Sequence, residues 1–129
     1  MIPQDFIAYC LSKNGAYEDH PFGLESTIIK VKGKIFAQFL KLKDGDIATF
    51  NCDKLTGEFY RNLYPNVVVR GYHCPPIQQP YFNSVPLNNT LDDSVIQEMI
   101  DHSYNYVVSK LPKYIQKELG ETCDDTRNK

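Results

Sequence analysis

The chain predicts an α+β fold, an antiparallel sheet of about five strands with helices packed on one face. Three observations carry this. Between Ser26 and Asn51, three runs rich in β-branched and aromatic residues (STIIKV, KIFAQFLKL and IATFN) are separated by Lys32-Gly33 and by Asp44-Gly45-Asp46. Gly and Asp supply the backbone angles that tight turns need, and strands joined by such short turns pair antiparallel. Toward both ends of the chain, apolar residues recur at helical spacing. The resulting order of helix, three strands, helix, two strands, helix belongs to α+β rather than to a parallel α/β sheet.

Each element has its own signal. Pro3 suits the first turn of a helix over residues 3–13, striped by Ile2, Phe6, Ile7, Cys10 and Leu11 and stopped at Asn14-Gly15. GAYEDHPFGLE reads as a loop. In the first strand, residues 26–31, Ile29 and Val31 fall on one side and Ile28, Lys30 and Lys32 on the other. The second strand, residues 34–42, is more uniformly apolar, as an interior strand should be, and the third covers residues 47–51. Asp53 is placed to cap a short second helix whose Leu55, Phe59, Tyr60 and Leu63 share a face and which ends by Pro65. Gly57 weakens that helix by about 1 kcal/mol relative to Ala. Residues 67–70 form a fourth strand, GYHCPPIQQP a proline-stiffened loop, and residues 81–87 a fifth strand. Thr90 and Asp93 have capping-box spacing ahead of the longest helix, residues 92–110, with Val95, Met99, Ile100, Ser103, Tyr104, Val107 and Leu111 on its inner face. A last helix, 113–119, ends at Gly120. The expected organisation is a single domain, 1–119, followed by a flexible tail, 120–129.

With 129 residues, the chain is long enough to bury roughly two-thirds of its unfolded surface around one core. No apolar run approaches the ~20 residues of a membrane helix, and MIPQDFIAYC lacks the pattern of a signal peptide. Cys10, Cys52, Cys74 and Cys123 never stand at C-x-x-C spacing, so reduced thiols and a cytoplasmic location are expected. The formal net charge of −2 gives no general attraction to nucleic acid. Its distribution is uneven: Ser26 to Lys43 holds Lys30, Lys32, Lys34, Lys41 and Lys43 and no acid, whereas the helical segments are acidic.

Pro21-Phe22-Gly23, the run Ile29–Ala37 (IKVKGKIFA), Gly71-Tyr72-His73, Phe82-Asn83-Ser84-Val85, and Ser103-Tyr104 ahead of Leu111-Pro112 together resemble the MmcQ/YjbR family over about residues 3–119. The resemblance implies a fold like bacterial frataxin (CyaY-like) and a DNA-binding role of a "double-wing" type. The family usually continues after Gly-Tyr-His with Asn, Lys and a His-Trp pair. Here the stretch reads CPPIQQPYFNSV, and the lysines are absent.

The expected nucleic-acid surface consists of Lys30, Lys32, Lys34, Arg61, Arg70, Tyr72, His73 and Tyr81: cations for phosphates, aromatic rings for bases. The alternative is a protein- or small-ligand-interaction module using the same face. His20, His73 and His102 are scattered among different elements, so no metal or other cofactor is expected. No G-x-S-x-G, H-E-x-x-H, P-loop or G-x-G-x-x-G occurs, and adjacent His73 and Cys74 point apart on extended backbone, so the chain is expected to be a non-enzyme. The expected partners are DNA or an unidentified protein or small ligand, with no membrane role and a monomeric state.

Overall fold

The computed structural model describes residues 1–21, 23, 26–43, 45–71 and 74–124. Its elements run α1 (Pro3–Leu11), β1 (Ala16–Asp19), β2 (Ser26–Val31), β3 (Lys34–Leu42), β4 (Gly45–Asn51), α2 (Lys54–Leu63), β5 (Val69–Arg70), a 3-10 turn (Gln79–Tyr81), β6 (Phe82–Pro86), α3 (Asp93–Ser109) and α4 (Lys113–Asp124). The six strands form one antiparallel sheet in the order β1-β2-β3-β4-β6-β5.

Lys32 (φ 50°) and Gly33 (φ 81°) both adopt left-handed backbone, as a two-residue hairpin of the primed type requires. β3 carries one extra residue. Ala37 pairs with Ile29 and Ile35 with Lys30, so Phe36 has no partner in the register of either neighbouring strand, and a bulge results. The fully buried Phe36 carbonyl instead accepts a hydrogen bond from Ser103 Oγ, and its ring meets that of Tyr104 edge-on at 5.3 Å. Thus α3 docks on the sheet at the bulge.

The core lies between the helices and one sheet face. Ile29, Val31, Ala37, Phe39, Ala48, Phe50 and Val85 supply the strands' side. Phe6 of α1 meets Phe50 at 5.7 Å, and Ile96, Met99, Ile100 and Val107 of α3 fill the centre. On the opposite face, Thr49 and Ser84 share a buried hydrogen bond of 2.8 Å. Ile28 is also buried on this face, although the sequence reading assigned it to the more exposed side with Lys30; Asp19 and Gln38 flank it on the adjacent strands.

Several expectations are corrected. AYED within the expected loop is an edge strand, β1, too short and too acidic for alternation to reveal; charged side chains are a common way to protect such an edge. The fourth strand shrinks to Val69–Arg70, because Val68 N–H still bonds to Tyr64 in the turn leaving α2. The fifth starts at Phe82, after the 3-10 turn. The capping box does not form. Thr90 turns its hydroxyl to Asn88 (2.6 Å), Asp92 is the N-cap without a side-chain bond, and Asp93 reaches the Met1 amino group at 2.9 Å. Finally, α4 continues through Gly120 to Asp124, since one glycine costs a helix only about 1 kcal/mol.

Candidate functional site

The sheet separates the expected nucleic-acid residues. Tyr17 opposes Lys30 and Asp19 opposes Ile28, which makes Asp19 and Lys30 diagonal neighbours on one face. Their charged groups meet at 2.8 Å. The hydrogen bond from Lys30 holds the Asp19 carboxyl below its usual range and raises the Lys30 ammonium in turn. At the hairpin tip, Lys32 reaches Glu118 of α4 at 3.4 Å. Two of the expected phosphate contacts are therefore already turned to carboxylates.

Arg61 is a strut within the fold. Its Nη1 donates to Asn83 Oδ1 (2.6 Å) and to the Pro80 carbonyl (3.4 Å), and Asn83 Nδ2 donates to the Gly57 carbonyl at 3.3 Å. Nη2 is buried with no partner among the described residues. Arg70 lies opposite Asn83 on β5 and is exposed, so Arg61 and Arg70 flank the same asparagine. Four strand spacings, roughly 19 Å, separate β5 from β2. Lys34 is exposed at the start of β3, with Lys41 and Lys43 exposed at its far end. Tyr81 is partly exposed and closes the 3-10 turn. Tyr72 and His73 lie outside the described residues. Lys30 and Lys32, on β2 and its hairpin, are thus set several strands from Arg70 on β5, and Arg61 is turned into the fold.

Among the described residues, no three His, Cys, Asp or Glu side chains gather where they could hold a metal ion, and no helix is long and apolar enough to cross a membrane. His20 bridges Glu18 Oε2 (3.1 Å) and the Ser26 carbonyl (3.2 Å). Cys10, Cys52 and Cys74 are free thiols, and burial pushes that of Cys52 up to about 12.

A different surface emerges at α2. Asp53 Oδ2 caps the helix by accepting from Thr56 N–H at 3.0 Å, as expected. Gly57 and Tyr60 then face inward, and the Tyr60 hydroxyl donates to Glu98 of α3 at 2.5 Å. Burial, reinforced by Glu98, drives the Tyr60 phenol well above its ordinary range. Leu55, Phe59 and Leu63 instead point outward with 77%, 57% and 53% of their surfaces exposed. The sequence groups Leu55, Phe59, Tyr60 and Leu63 on one face, but the structure turns Tyr60 inward and the other three outward, since a stripe pattern does not say which side of a helix the sheet takes. The small side of the helix, Gly57, is the one that fits against Cys52, Arg61 and Pro80. Beside the stripe runs a groove of about 410 Å³, lined by Leu55, Thr56, Phe59, Tyr60, Glu98 and His102.

The YjbR family model matches residues 11–106. The chain is 27% identical over 99 residues to the uncharacterised protein YbdF of Escherichia coli O157:H7, covering 77% of this chain and 78% of that protein. It is 24% identical to the uncharacterised protein YjbR of Escherichia coli K12 over 119 residues, 92% of this chain and 98% of that protein. Among solved structures, Deinococcus radiodurans protein DR2400, described as a DUF419 domain, superposes with a TM-score of 0.79 at 26% identity, covering 91% of this chain and 86% of that one. A Pseudomonas syringae protein shares the fold with a TM-score of 0.70 at 18% identity, over 82% of this chain and 98% of its own. With a family match spanning most of its length and the same sheet-and-helix architecture in its relatives, this chain belongs to the YjbR family.

Proposed function

We propose that this chain is a non-enzymatic interaction module that recognises a protein partner through the outer face of α2. The observation that carries this is the exposure of Leu55, Phe59 and Leu63 as one continuous stripe on a helix whose opposite side is already docked. Apolar surface left in water is unfavourable by about 25 cal/mol per Å², and aromatic residues in such a patch typically anchor interfaces. The adjoining groove suits an apolar-faced helix of the partner, the helix-in-groove mode of recognition. Affinity capture with wild type and with Phe59→Ser tests the reading. A partner held by the wild type and lost from the variant, with unchanged urea stability, supports it; identical capture by both sinks it.

A nucleic-acid role is the second reading. Its support is the exposure of Lys34, Lys41, Lys43 and Arg70 without carboxylate partners among the described residues. Duplex binding that falls steeply with salt and weakens in Arg70→Gln would favour it. No binding at low salt ends it.

A further inference from the structure

A second recognition feature lies away from α2, where the β2–β3 hairpin meets the C-terminal turn of α3. We propose that the pocket there binds an amphipathic anion, a negatively charged head carried on a short apolar body. It has a volume of about 410 Å³ and is lined by Gly33, Lys34, Ile35, Asn51, Phe82, Val107, Lys110 and Leu111, within the size range of small-molecule sites. Its chemistry is divided. Ile35, Phe82, Val107 and Leu111 provide aliphatic and aromatic walls, Asn51 an amide, and Lys34 and Lys110 two ammonium groups. Among the described residues, no carboxylate lines it.

The two lysines stand apart from the paired ones of the sheet. Lys32, only two residues before Lys34, is committed to Glu118, whereas Lys34 has no carboxylate partner among the described residues. Lys110 Nζ rests 4.6 Å above the centre of the Tyr106 ring, which restricts the ammonium without neutralising it. A helix C-terminus ordinarily repels anions through its free carbonyls. Here the carbonyls of Tyr106 to Ser109 are already occupied, that of Tyr106 by Ser109 Oγ. Lys110 N–H bonds to the Val107 carbonyl and Leu111 N–H to that of Val108, while Gln116 Nε2 donates to the carbonyls of Ser109 and Leu111. The mouth is open at the hairpin tip, where a Cβ placed on Gly33 would meet nothing within 4 Å. An anionic head at the lysines with its apolar body along Phe82 and Val107 satisfies both halves of the pocket.

Octanoate is the probe, followed by amide chemical-shift mapping on the full chain, with acetate and 1-octanol as comparisons. Octanoate should shift the amides of Ile35, Phe82 and Val107 and bind more tightly than either comparison. Lys34→Gln and Lys110→Gln should each weaken it roughly five- to tenfold, the loss of one charge-assisted contact. Both side chains are exposed, so folding should be unaffected. Equal binding of 1-octanol, equal binding of acetate, shifts centred on α2, or full affinity in both variants would each overturn the proposal.

Discussion

Gly57 shows how a single residue can be misjudged by propensity. In an isolated helix it is a weak point, worth about 1 kcal/mol against Ala. In the fold, a Cβ there would stand 2.8 Å from Cys52 Sγ, 2.9 Å from Arg61 Nη1 and 3.2 Å from the Pro80 carbonyl. The arginine end can move, but the carbonyl belongs to the backbone and Cys52 is buried. Overpacking of this kind costs about 1–3 kcal/mol, which exceeds the gain in propensity. Gly57→Ala should therefore destabilise the protein in urea unfolding, and a stabilised variant would show that the Arg61–Asn83–Gly57 node yields more readily than this packing implies. Ser103 makes the complementary point. Its hydroxyl serves the buried carbonyl of Phe36 at the bulge, so Ser103→Ala should cost about 1–3 kcal/mol, the penalty of an orphaned buried acceptor. A loss below about 0.5 kcal/mol in the same urea assay would mean the carbonyl finds another partner.

Among the elements, those with strong local signals were legible in the sequence. The Lys32-Gly33 turn, the runs of β2 and β3, the Asp53 cap and most of the inner face of α3 appear where residue pattern and turn chemistry put them, whereas β4 begins at Gly45, inside the expected second turn, and Ile96 joins the α3 face. β1 was not legible, because AYED acquires its strand character by pairing with β2 and not from its own composition. The bulge at Phe36 was hidden too, since an extra residue in a uniformly apolar run leaves period-two counting without a reference. Direction was the missing information at α2. Its apolar stripe is readable, yet the sheet takes the Gly57–Tyr60 side and leaves Leu55, Phe59 and Leu63 outside. The same change in orientation turns an apparent core helix into the candidate interface.

For the molecule as a whole, charge distribution along the chain proved a poor guide to charge distribution in space. The lysine-rich segment from Ser26 to Lys43 looked like a basic face. Folding sets acidic β1 beside β2 and α4 beside the hairpin, so that Asp19 and Glu118 answer Lys30 and Lys32. Such surface pairs, partly exposed at Asp19–Lys30, contribute little to stability, typically 0–1 kcal/mol each, but they alter what the surface offers a partner. Arg61 is withdrawn into the fold and Arg70 lies across the sheet, leaving Lys34 to join Lys110 at the pocket. What remains most distinctive on the surface is apolar. A protein-binding face on α2 is open to a decisive test by site-specific photo-cross-linking. A cross-linking amino acid is introduced in place of Phe59 and, in a parallel sample, in place of Ile77, which is 83% exposed outside the stripe. A discrete protein adduct is expected from position 59 that disappears on adding Leu63→Ser and is absent from position 77. Equal yields from both positions, or an adduct indifferent to Leu63→Ser, would contradict it.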